Sequence, residues 1–143
     1  MTTSYEEIYS RFLPKITDYT FYNAPKEEVE DFMLPLLKSS IVNFRYCDKL
    51  GDRDDSLKQF NLDLSDEEQE ILSVLMCVEY LTPKLLTDDL LKQKLNSKDY
   101  SLYSQANQIK EIRQVRDDFS SKANSMMMLY TYKATRMDGF KSC

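Results

Sequence analysis

The side chains able to do chemistry in this 143-residue chain are carboxylates, lysines, arginines, tyrosines and three cysteines, because it has no histidine. That absence removes the commonest general base, the serine–histidine and cysteine–histidine nucleophile pairs, and histidine metal ligation. With only two glycines, Gly51 and Gly139, there is neither a Gly-rich phosphate loop nor a dinucleotide fingerprint. Paired carboxylates alone can catalyse, as in glycosidases. The 24 acidic residues, however, gather at helix starts and in loops, where capping and solvation account for them. The expectation is a protein that is not an enzyme and needs no cofactor.

Metal and redox chemistry fare no better. Cys47, Cys77 and Cys143 are widely spaced and odd in number, which matches neither a disulfide framework nor a zinc pattern, so thiols in a reducing compartment are expected. Asp48, Asp52, Asp54 and Asp55 share one loop with Gly51, but they miss the odd-position register and closing glutamate of a calcium-binding loop. No metal site is expected. Lys110, Arg113 and Arg116 advance in steps of three, which could line a channel or touch phosphates. Each step drifts about 60° around a helix, and Glu111, Asp117 and Asp118 offset the charge, so a mixed solvated face is the favoured reading.

One stretch stands apart. Met126-Met127-Met128-Leu129-Tyr130-Thr131-Tyr132 cannot turn every side chain into one small core, because successive helical residues lie about 100° apart. Methionine and tyrosine favour adaptable protein contacts. With Phe140 beyond, this end of the chain reads either as an assembly contact that includes Met127, Tyr130 and Tyr132 or, equally, as core packing alone.

The elements that must carry these residues are helical. At 42% hydrophobic and 30% charged, the chain has material for one core, and two glycines are too few for an all-β domain. Ser4 and Glu7 have capping-box spacing, and Tyr5, Ile8, Tyr9 and Phe12 make a short apolar face that stops near Pro14. A second helix is expected over 25–46, with Val29, Phe32, Met33, Leu36, Leu37, Ile41 and Phe44 on its stripe and Pro35 kinking or splitting it. Phe60-Asn61-Leu62-Asp63-Leu64 alternates like an extended segment, needing a short partner strand or a neighbouring chain.

The strongest start signal is Ser65 with Glu68, opening a helix apolar nearly all round from Ile71 to Val78 that Pro83 should end. A short fourth helix over 85–95 follows, then a break at Asn96-Ser97. A final helix over 98–132, of order 50 Å, should project beyond the core. The expected fold is all-α: a small bundle of four to five helices with a long C-terminal helix, one short extended segment near 59–64, a single domain over 1–132 and a docking tail over 133–143.

The net charge of −5 argues against a nucleic-acid-binding role, and no window approaches the roughly 20 apolar residues that span a bilayer. The opening residues have neither the basic start nor the apolar stretch of a signal peptide, so cytoplasmic synthesis and no membrane contact are expected.

The order of short helices, buried capped helix, long helix and small tail resembles that of head–tail adaptor (connector or neck) proteins of tailed bacteriophages. Ser4-Tyr5-Glu6-Glu7-Ile8-Tyr9, Asp52-Arg53-Asp54-Asp55, Gln59-Phe60-Asn61-Leu62-Asp63-Leu64 and Ser97-Lys98-Asp99-Tyr100 are similar to phrases in small structural proteins of phages from low-GC Gram-positive hosts. The likeness runs over nearly the whole chain and rests on pattern and order. It departs at the Pro35 helix and the loop behind it.

The resemblance implies a virion structural protein of the connector region. Twelve copies would form a homo-oligomeric ring beneath the portal protein, contact tail-completion or neck proteins, and let DNA pass without sequence-specific binding. It also implies that Tyr130, Tyr132, Arg136 and Phe140 engage the portal or a neighbouring subunit. The alternative reading is a small phage-encoded regulatory protein that binds a host or phage factor.

Overall fold

The computed structural model describes residues 2–16, 24–44, 47–94 and 99–136, with their side chains except those of 86–94, 99–108 and 134–136. Its elements, in chain order, are β1 (Thr3–Ser4), α1 (Tyr5–Phe12), a 3-10 turn (Leu13–Lys15), α2 (Lys26–Asn43), a second 3-10 turn (Asp48–Gly51), β2 (Arg53–Asp54), β3 (Gln59–Phe60), α3 (Asp66–Lys94) and α4 (Asp99–Arg136). The all-α expectation holds, with four α-helices among the described residues and one very small sheet beside them.

The centre is α3. From Ile71 to Cys77 every residue is buried, so this stretch meets neighbours on all sides. The helices α1, α2 and α4 each pack against it. Tyr5, Ile8, Tyr9 and Phe12 of α1 are buried as their spacing requires, and Ser4 caps the helix by accepting the Glu6 N–H at 3.2 Å. On α2, Val29, Met33, Leu37 and Phe44 are buried, Leu36 and Ile41 are half-buried, and Phe32 stands largely exposed. Arg11 joins α1 to the start of α3, donating to Gln69 (3.1 Å), Glu70 (3.3 Å) and Asp66 (2.7 Å).

The extended segment is shorter than the alternation implied. Only Gln59 and Phe60 form a strand, with two short partners inside the chain: β3 lies antiparallel between β1 and β2, pairing Phe60 with both Thr3 and Arg53. Leu64 then leaves the strand, its N–H donating to the buried Thr3 hydroxyl at 2.8 Å.

Two prolines do less than expected. α2 continues through Pro35 without splitting, although the ring removes one backbone hydrogen bond. Pro83 does not end α3, and the separate helix expected over 85–95 is its continuation. Tertiary packing overrides the local penalty: Tyr80 before Pro83 and Leu85 after it are both buried, which rewards carrying the helix onward. The break expected at Asn96-Ser97 lies outside the described residues.

The prolonged α3 changes the reading of the long helix. α4 runs antiparallel to α3, as contacts of Glu67 with Lys133 and of Glu68 with Tyr130 require. Its 38 residues span about 57 Å, but α3 accompanies it, and Leu85 and Ile109 are both buried. α4 also extends through Arg136, past the helix end expected at 132.

Leu72 is fully buried on α3, whereas Leu75 borders an open groove. Leu72→Ala should therefore destabilise the protein by about 2–5 kcal/mol and Leu75→Ala by an amount near the low end of that range. Urea unfolding followed by circular dichroism checks both the size and the order of the two losses.

Candidate functional site

The site is built from the Ser65–Glu68 capping box upward. The Glu68 N–H donates to the Ser65 hydroxyl at 3.2 Å, and the Ser65 N–H donates to Glu68 Oε1 at 2.7 Å, the reciprocal pair that the spacing predicts. A capping glutamate is normally solvated, yet the Glu68 side chain is only 2% exposed. Three further donors converge on it. Lys49 Nζ reaches Oε1 at 3.3 Å, while the Cys47 thiol (3.1 Å) and the Tyr130 hydroxyl (2.7 Å) both donate to Oε2. Each oxygen thus accepts from two donors, which uses the carboxylate's hydrogen-bonding capacity.

Burial by itself would push the Glu68 carboxyl up. The Ser65 N–H, the Tyr130 hydroxyl, the Cys47 thiol and the Lys49 ammonium outweigh it and hold the group below the ordinary glutamate range. A carboxylate so enclosed is a tie between segments, not a proton donor. It joins the start of α3, the segment 47–49 and the end of α4. The Tyr130 ring also stands edge-on to Phe44, the cap of α2, at 5.2 Å between centroids.

Outside this tie lies an exposed stretch of α4. Met128 is 72% exposed, Leu129 59% and Tyr132 61%. Spacings of three and four residues put Tyr132 beside both others on one helix surface. Beside them is a groove of about 560 Å³ between α2, α3 and α4, lined by Asn43, Leu75, Val78, Ser120, Asn124, Met127 and Met128.

The residues singled out by sequence divide accordingly. Met127 is buried with Ala123 in the core cluster and also lines the groove. Tyr130 is half-buried and engaged internally through Glu68 and Phe44, while Tyr132 is exposed. The Arg136 side chain and all of Phe140 lie outside what the structure describes. Met128 and Leu129 are the exposed residues that reading for type alone passed over; their phase relative to the buried Ala123 and Met127 is the signal that identifies them.

Lys110 and Arg113 are exposed, and Arg116 is half-buried with its guanidinium on Asp117 at 2.9 Å. Together with Glu111, Asp117 and Asp118 they make a surface of mixed charge.

Asp52, Asp54 and Asp55 of the 48–55 loop are engaged within the chain. Asp54 Oδ1 accepts from the Ser56 N–H, the Ser56 hydroxyl and the Leu57 N–H in an Asx-type turn. Asp52 accepts from Asn61 at 2.9 Å, and Asp55 accepts from the Tyr5 hydroxyl at 2.6 Å. Burial and the Asp55 carboxylate push the Tyr5 phenol well up. Among the described residues, no group of three or more histidine, cysteine or acidic side chains could hold a metal ion. Among the described residues, no helix is long and apolar enough to cross a membrane. Burial also pushes the Cys77 thiol up to about 12, so it is no nucleophile at neutral pH.

Two outcomes follow. Because the folded Glu68 lies below its unfolded value of about 4.3, its stabilisation is fully present above that pH and is lost as pH falls through the folded value. The stability difference between the native protein and Glu68→Gln should therefore be largest near neutrality and shrink below about pH 4, as urea titrations across pH will measure. Iodoacetamide at pH 8 should leave Cys77 unmodified until denaturant is added, as peptide mapping by mass spectrometry will check.

Comparison with known protein families, with curated protein sequences and with solved structures finds no match.

Proposed function

We propose that this chain is a structural assembly subunit, a head–tail connector adaptor of the tailed-phage type, which acts by binding neighbouring proteins and not by catalysis. The observation that carries the reading is the exposure of Met128 and Leu129, with Tyr132 beside them, near the end of α4. Single exposed apolar residues are ordinary, but three that adjoin on one helix face, beside a groove, have the character of a protein contact. The buried Met127 and half-buried Tyr130 support that face from behind.

The form of the assembly rests on the resemblance in element order and local phrases. A ring closes when each subunit offers one surface to a different surface of the next. In this reading the α4 face is the offered surface, the portal and tail-completion or neck proteins are the further neighbours, and the subunit works in the virion. The net charge of −5 suits a channel through which DNA slides without sticking. Lys110 and Arg113 are the cations of the row that stand exposed for a channel wall.

The test is affinity capture of the tagged chain from its native source, with partners identified by mass spectrometry. Recovery of a portal or tail-completion protein supports the adaptor reading. Recovery of a polymerase, nuclease or repressor replaces it with the regulatory alternative. The double substitution Leu129→Asp with Tyr132→Ser should preserve the helical spectrum, with each surface change costing within about 0.5 kcal/mol, and weaken partner capture at least about tenfold. Unchanged capture by this variant contradicts the assignment of the α4 face.

A further inference from the structure

We infer that Glu68 is a latch shared by two segments that follow separate parts of the chain, the 47–51 turn and the end of α4 beyond Met127, so that loosening either one loosens the other while α1 and the body of α3 stay folded. This inference concerns the chain's own mechanics and does not depend on the assembly reading.

The geometry carries it. Glu68 Oε2 accepts from Cys47 on one segment and from Tyr130 on the other, and Oε1 accepts from Lys49 and from the Ser65 N–H. The Ser65 N–H is fixed by the start of α3, so the carboxylate is anchored from below and its remaining acceptance is divided between the two segments. Removing a donor from one side leaves a 2% exposed anion under-satisfied. The carboxylate then turns toward water or toward its remaining donors, and the optimum for the opposite donor shifts with it.

The end of α4 is also placed to yield, whereas the 47–51 turn is held in the core by Cys47 and Leu50 as well as by the latch. The buried residues of α4 up to Met127 hold its middle on α3. Beyond Met127, its described anchoring includes Tyr130 and an exposed Lys133–Glu67 pair at 3.3 Å, the kind of surface pair that contributes little. Helix ends open locally at low cost compared with core turns. Met128, Leu129 and Tyr132 ride on this same segment, so the latch sets the order of the exposed face.

Hydrogen exchange of the full-length chain, read by mass spectrometry at neutral pH, tests the coupling with two variants. Tyr130→Phe removes only the hydroxyl and leaves the ring to meet Phe44, and Cys47→Ala removes the donor on the other side. Each should speed exchange about tenfold in peptides covering 128–133 and in peptides covering 47–51, with α1 and residues 71–80 unchanged. Acceleration confined to the mutated side, acceleration spread equally into residues 71–80, or no acceleration in either variant overturns the latch. Tyr130→Phe is nearly isosteric, so its result stands even where Cys47→Ala perturbs packing.

Discussion

A buried carboxylate that keeps its charge must be surrounded by donors, and in this chain that requirement decides which segments meet. Glu68 is 2% exposed and takes two donors on each oxygen. An isolated ion in such a place would cost several kcal/mol, so the Ser65 N–H, Lys49, Cys47 and Tyr130 must all arrive for the arrangement to be stable. Their arrival sets the start of α3, the path of the turn behind α2 and the position of the last turns of α4. The apolar packing around Ile71 to Cys77 is strong but indifferent to small shifts of angle; polar ties such as Glu68 and the Arg11 bonds to the start of α3 supply the directional part.

Much of this was legible from residue order. Ser65 and Glu68 announced a capping box, Tyr5, Ile8, Tyr9 and Phe12 announced a buried face, and the apolar run after Glu70, broken only by Ser73, announced the central helix. These signals are local, and nothing in the tertiary structure opposes them. Pro83 misled because its penalty is local while the compensation is not: burial of Leu85 and the company of α4 outweigh one lost backbone bond. The role of Glu68 beyond its cap was invisible for the same reason. Tyr130 lies 62 residues away in sequence, and no spacing rule connects the two.

The candidate contact surface shows the same division. Composition pointed to the methionine and tyrosine cluster on α4 but could not phase it. Once Ala123 and Met127 are placed against α3, the helical repeat turns Met128, Leu129 and Tyr132 outward and leaves Tyr130 at the boundary. An inner row that packs and an exposed outer row, offset by one or two residues on one helix, is how a small helical chain can hold its own core and still offer a contact. The proposed adaptor role draws on that outer row. The argument for an internal tie at Glu68 stands on the inner row alone.

The most direct measurement of the central claim is a double-mutant cycle in urea between Glu68→Gln and Tyr130→Phe at neutral pH. A hydrogen bond from a buried phenol to an ionised carboxylate should appear as a coupling of about 1.5–3 kcal/mol. Losses that add to within about 0.3–0.5 kcal/mol would mean that the two groups act independently. In that case the end of α4 is held by apolar packing, and Glu68 is no more than a helix cap.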